Sequence, residues 1–246
     1  MGGAIALIDY GAGNPTSVRK AFAAAGAELV TPQAPGDLEG AGAVVIPGVG
    51  HFAATAVLEA GWRDGIAGAV RAGRPLLGIC LGMQWLFEGS DEAPGVPGLG
   101  AFRGVCARLP AGQKVPHVGW NTLDAAGPAR LLSGVRGGTY AYFAHSYAAP
   151  VTDGCVAVTT YGTAFAAAVE RDNVFGVQFH PEKSGPAGLR VLANFVAIAA
   201  RRPGLRPASD RRRAAARADG IGRPRQDARS GSPAAGSGSQ ARGESN

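Results

Sequence analysis

The chain has little of the residues from which several functional classes are built. Cysteine occurs three times in 246 residues, at Cys80, Cys106 and Cys155, and no two form a C-x-x-C pair. So sparse, odd and widely spaced a set argues against a disulfide scaffold and against a cysteine-based zinc site. A reducing, cytoplasmic compartment is the expectation. Histidine occurs four times, at His51, His117, His145 and His180, and none stands in a spaced ligand pair. No metal and no other cofactor is therefore expected. Long apolar runs are missing as well: no stretch reaches about 18 residues, which argues against a membrane-spanning helix. The N-terminus enters "AIALIDYGAGN" without a basic region, an apolar stretch and a small-residue cleavage site, so no signal peptide is read.

What is present suits a globular core. Hydrophobic residues make up 46% of the chain and aromatics 7%. The length allows one sizeable α/β domain, or such a domain with a tail. The net charge of +6 belongs to the tail. Residues 201–246 carry eleven arginines and four acidic residues, net +7, which leaves residues 1–200 at −1. A basic nucleic-acid face on the folded part is not implied.

The composition changes near Arg201. Beyond it Leu205 and Ile221 are almost the only large apolar residues, too few to offset the entropy of ordering the segment. Residues 201–246 are expected to be a disordered Arg/Ala/Gly/Ser-rich tail, with a short helix allowed in "RRRAAARA". Binding to an anionic surface and an unselected basic extension both fit it.

Before Arg201, short apolar runs alternate with helical stretches. "AIALID" (4–9), "AVVIPG" (43–48) and "PLLGI" (75–79) fit buried strands with helical crossovers, hence a parallel sheet. A helix is expected from Pro15 to Ala25 and another through "LGMQWLFE". The second half holds closely spaced strand candidates, "KVPHVGWN", "TYAYFAHSY", "CVAVTTYG", "TAFAAAVE" and "NVFGVQFH", which suggest an antiparallel or mixed region. "GPAGLRVLANFVAIAA" closes the domain as a helix.

The candidate chemistry starts at Gly78-Ile79-Cys80-Leu81-Gly82. A G-x-C-x-G corner between strand and helix is the cysteine counterpart of the G-x-S-x-G nucleophile elbow. A sharp turn crowds the nucleophile's neighbours, so glycines flank it, and the helix start favours thiolate. Alone, the motif fits a buried structural cysteine between packing glycines equally well. A thiolate nucleophile needs an acid/base partner. "GVQFHPEKS" ends an apolar run and presents His180 two residues before Glu182, so one segment supplies an imidazole and a carboxylate to orient it. Alone, H-P-E also fits a surface turn. "VVIPGVGHF" supplies a glycine-rich turn whose N–H groups suit an oxyanion, with Gly50 one donor and Leu81, after the nucleophile, the other.

Taken together, "PLLGICLGMQWLFEGSDE", "PGVGHF" and "GVQFHPEKS" resemble the triad class of glutamine amidotransferase domains. "IALIDYGAGN…SVRKAF", P-G-V-G, "PHVGWN" (116–121) and "YFAHSY" (142–147) are similar to the glutaminase subunit of imidazole glycerol phosphate synthase. The resemblance covers about residues 4–200. It implies a flavodoxin-like three-layer α/β sandwich with a mixed, mainly parallel central sheet, and one amidotransferase domain over residues 1–200.

By position, the resemblance implies that Cys80 attacks the glutamine amide, His180 moves the protons and Glu182 orients His180. Gly48, Gln84, Glu92, His145, Ser146 and Tyr147 fall at glutamine-binding positions. Asn14, Trp120, Tyr142 and Lys183 fall at the interface with a (β/α)8-barrel cyclase subunit that takes the ammonia; for all four, local turn and core structure is the competing reading. Neither nucleic acid nor membrane is an expected partner. The remaining readings are the glutaminase subunit of another amidotransferase complex, a stand-alone γ-glutamyl hydrolase or cysteine peptidase of the same fold, and a non-catalytic interaction protein that kept the fold.

Overall fold

The computed structural model of the chain describes residues 4–201; the expectations for the tail lie outside them. The three N-terminal apolar runs form strands β1 (Ile5–Leu7), β3 (Ala43–Ile46) and β4 (Leu76–Ile79). A two-residue strand β2 (Leu29–Val30) precedes β3. β1, β3 and β4 are buried along their whole length. That explains their unbroken hydrophobicity: a parallel strand covered on both faces has no solvent side to keep polar.

Residues Ile5, Leu7 and Val45 join one core cluster with Val18 and Phe22 of helix α1 (Pro15–Ala24) and Val191, Leu192 and Phe195 of helix α4 (Gly185–Ala200). Ala6, Ile8, Val44 and Ile46 join the opposite cluster with Ile66 and Val70 of helix α2 (Trp62–Arg71) and Met83 and Trp85 of helix α3 (Leu81–Trp85). The period-two alternation of the strands thus sorts their side chains into two cores, with helices on both faces. Phe22 and Phe195 meet edge-on across α1 and α4, ring centroids 6.3 Å apart.

The second half supplies the rest of the sheet. Between β4 and these strands, β5 (Gly89–Ser90), β6 (Val105–Arg108) and, later in the chain, β9 (Tyr147–Ala148) form a separate three-stranded sheet. β7 (His117–Ala125), β8 (Thr139–His145), β10 (Cys155–Tyr161), β11 (Thr163–Arg171) and β12 (Val174–Val177) complete the main one. Its order is β2-β1-β3-β4-β12-β11-β10-β7-β8. β2 through β12 pair in parallel and β12 through β8 pair antiparallel. The fold is therefore α/β with a mixed sheet, as expected.

One pairing matters for the site. β12 lies parallel to β4 with Gly176 opposite Gly78 and Val177 opposite Ile79. The residues that follow each strand, Cys80 and the segment Gln178–Glu182, therefore leave the sheet side by side at its carboxyl end, where open α/β sheets place their ligands. Among the described residues no helix is long and apolar enough to cross a membrane.

Candidate active site

Cys80 sits on a strained corner. Its φ is +52° and its ψ −107°, a region L-residues rarely occupy, and it caps α3. The flanking glycines are required by close approach. A Cβ on Gly78 would lie 2.6 Å from the Gly82 carbonyl oxygen, and one on Gly82 would run into the Ile46 carbonyl of β3. The helix after the elbow is shorter than expected: it ends at Trp85, and the chain closes with Leu86 and Phe87 N–H groups donating to Met83 and Gln84 carbonyls.

His180 and Glu182 meet as anticipated. His180 Nδ1 lies 2.8 Å from Glu182 Oε1, and both side chains are buried, at 2% and 7% exposure. Nε2 of His180 turns toward Cys80 but makes no hydrogen bond of ordinary geometry. Burial by itself would lower this imidazole. The adjacent Cys80 sulfur and the Glu182 carboxylate outweigh it and push the imidazole up to about 10.

Ser184, unremarked in the sequence, pins this segment. Its hydroxyl donates to the His180 carbonyl at 2.7 Å and accepts the Tyr142 N–H at 2.9 Å, while the His180 N–H donates to the Tyr142 carbonyl at 2.8 Å.

The P-G-V-G turn packs against the elbow. The Leu81 N–H donates to the Gly48 carbonyl at 3.3 Å. The peptide facing that N–H is thus Gly48–Val49, with its oxygen inward; the Gly50 N–H lies one peptide further along, and Val49 was not singled out in the sequence. A Cβ on Gly48 would collide with the Tyr10 hydroxyl. That hydroxyl is buried without a partner, and burial, then the Cys80 charge, push the phenol up. Glu92 closes the far end of the turn, accepting the Phe52 N–H at 2.7 Å.

Of the remaining expected binding residues, Gln84 and the backbone of Tyr147 reach the surroundings of Cys80: Gln84 Nε2 donates to the Tyr147 carbonyl at 2.7 Å and to Gln178 Oε1 at 3.1 Å. The Ser146 carbonyl accepts the Leu109 N–H, joining β6 to the loop after β8. His145 is buried, its Nδ1 2.9 Å from the Tyr147 carbonyl and its Nε2 3.2 Å from His117 Nδ1. Burial, the chief cause, pushes the His145 imidazole down to about 3, so it is neutral. Its ring is committed to protein partners and holds the loop carrying Ser146 and Tyr147.

The four expected interface residues divide. Trp120, Tyr142 and Lys183 form one cluster: the Trp120 and Tyr142 rings meet edge-on with centroids 6.1 Å apart, and Lys183 Nζ lies 5.6 Å from the Tyr142 centroid. Val118 and Tyr140 extend it, and with Trp120 they are more than half exposed, an apolar patch on edge strand β8 and its neighbour β7. Asn14 instead caps α1, its Oδ1 accepting the Ser17 N–H at 3.2 Å.

Residues 6–199 match the family described as glutamine amidotransferase class-I. The chain belongs to that family. It is 49% identical over 195 residues to the imidazole glycerol phosphate synthase subunit HisH of Methanothermobacter thermautotrophicus, covering 79% of this chain and 98% of that one. It is 50% identical over 201 residues to the subunit of the same name in Deinococcus radiodurans, covering 78% and 92%. Among solved structures, one titled a glutamine amidotransferase superposes with a TM-score of 0.64 at 22% identity over 80% of this chain, a likeness of fold. The chain is thus a glutamine amidotransferase, with glutamine hydrolysis as its activity, and the β4–β12 pairing brings its elbow and its His-Pro-Glu segment together.

Proposed function

We propose that this chain is the glutaminase subunit of an imidazole glycerol phosphate synthase, working through a thioester on Cys80. The Cys80 thiolate attacks the carboxamide carbon of glutamine. His180 gives its proton to the departing nitrogen, ammonia leaves, and a γ-glutamyl thioester remains. Water then adds to the thioester as His180 takes its proton, and glutamate is released. Glu182 keeps the imidazole oriented. Gln84, Gly48, Glu92 and the Ser146–Tyr147 backbone face the substrate's amino-acid end. The observation that carries this reading is the strained, buried Cys80 beside a His180 whose proton is held by Glu182, in a chain about half identical to subunits named HisH.

The ammonia goes to a (β/α)8-barrel cyclase subunit in the cytoplasm, which uses it to form imidazole glycerol phosphate and AICAR. The Trp120–Tyr142–Lys183 cluster is the docking face. Residues 1–200 are the working domain, and the tail from Arg201 is dispensable for the chemistry.

The oxyanion hole is held incomplete in the isolated chain. Its Leu81 donor is occupied by the Gly48 carbonyl. Rotation of the Gly48–Val49 peptide removes that oxygen and turns the Val49 N–H inward in its place; Val49, rather than Gly50, becomes the second donor. Backbone links from Tyr142 to His180 and Ser184 give the docking face a direct hold on the triad.

Cys80→Ala tests the assignment in the assembled complex. Synthesis from glutamine is expected to vanish while synthesis from added ammonium salt persists. Survival of the glutamine-dependent reaction would overturn the nucleophile.

A further inference from the structure

Gln178 stands in the middle of "GVQFH" and is fully buried, in a stretch otherwise read as an apolar strand end. Its Nε2 lies 3.6 Å from Cys80 Sγ, and its Oε1 accepts from Gln84 Nε2 at 3.1 Å. The oxygen and the nitrogen of an amide are nearly equal in size and shape, so its direction must come from its partners. Here a backbone carbonyl decides. The Tyr147 carbonyl only accepts, so the Gln84 atom 2.7 Å from it is the NH2 group. That NH2 group also points at Gln178, so the Gln178 atom facing it is the oxygen. The Gln178 NH2 is left facing the sulfur. Flipping either amide sets two donors or two acceptors against each other.

The same carbonyl fixes a second branch. His145 Nδ1 must carry a hydrogen to bond Tyr147, so its Nε2 accepts from His117 Nδ1. His117 Nε2 then accepts from Asn121 Nδ2, which also donates to the Thr160 carbonyl. Both imidazoles are neutral, burial lowering each. The Tyr147 carbonyl is thus held from two sides by donors whose sense cannot reverse.

We propose that Gln178 is a positioning residue for the nucleophile, presenting a directionally fixed N–H to the Cys80 sulfur and linking it through Gln84 to the substrate clamp. The thiol form of Cys80 donates to the Ala144 carbonyl at 3.9 Å. The thiolate has no proton to give and needs a donor, which Gln178 supplies. The ionisable groups around the sulfur are Tyr10 before α1, His180 after β12 with Glu182 behind it, and His145 on β8, whose imidazole His180 helps to lower. Tyr10 has no partner in its present position, and His180 makes no formed bond to the sulfur. Gln178 is therefore the one side-chain N–H seen bonded to Sγ among the described residues.

The assignment rests on Cys80 as nucleophile, but its test reads the sulfur itself and needs no glutamine. Alkylation of Cys80 by iodoacetamide is followed by mass spectrometry of the Cys80 peptide in the full chain. In Gln178→Met the rate at about pH 7 is expected to fall about tenfold, while the rate at about pH 9.5, above the range of ordinary thiols, changes less than about twofold. Gln84→Met, which frees the Gln178 amide to turn, is expected to move the neutral-pH rate the same way. Loss of packing alone would alter both pH values together. An unchanged ratio between the two pH values, in whichever variant folds, overturns the proposal; glutaminase activity absent from the parent assembled with the cyclase barrel would overturn the function reading and leave this result standing.

Discussion

His145 shows how much a single residue's role depends on its neighbours. It stands directly opposite His117 in the β7–β8 register, and the two rings bond each other although they lie 28 positions apart in sequence. In the sequence the four histidines are simply scattered. Burial keeps His145 neutral in the fold, down to about 3, whereas the unfolded chain protonates it near 6.5. Its folded value is depressed, so its contribution to stability is present above about pH 6.5 and is lost as the pH falls toward about 3. Thermal unfolding of the parent and of His145→Gln across this range checks the sign. The parent's advantage at neutral pH is expected to shrink by roughly 3 kcal/mol by about pH 4; a constant gap would show that His145 is protonated in the fold. Gln178 and Val49 were equally hidden. A polar residue at the end of an apolar run carries no periodic signal, and a peptide's direction is set by what it meets.

At the scale of elements, the short apolar runs were legible because burial on both faces leaves a strand no polar positions. β1, β3, β4 and β12 follow from that rule, and α1 and α4 from their helical spacing. The small sheet of β5, β6 and β9 was not legible, since strands of two to four residues hold too few side chains to show a period. The elbow between β4 and α3 was legible for a different reason: its two glycines record close contacts that any side chain would break. Gly82→Ala tests this. A methyl group there meets the Ile46 carbonyl of the neighbouring strand, so the elbow must shift, and displacement of a reacting atom by about 1 Å costs on the order of a hundredfold in rate. The expected outcome is a variant with a near-native circular dichroism spectrum, a Tm lowered by several degrees and glutaminase activity reduced about a hundredfold. Full activity would mean that β3 yields where the elbow does not.

At the scale of the molecule, the proposed triad and the proposed docking face share one residue. Tyr142 contributes its ring to the exposed cluster with Trp120 and Lys183, and its backbone to both bonds that hold His180 and Ser184. Under the proposed function, a partner pressing on that face acts on the segment that carries His180. The Gly48–Val49 peptide meanwhile keeps the Leu81 N–H engaged; under the proposed function this holds glutamine hydrolysis back until an acceptor of ammonia is in place. The proposed function requires a complete triad beside an incomplete oxyanion hole. The most direct test is the steady-state rate of glutamine hydrolysis by the chain alone and with the cyclase barrel and its nucleotide ligand. One oxyanion donor is worth about a hundredfold or more, and the account predicts a rise of at least that size on assembly. Equal turnover with and without the barrel would contradict it.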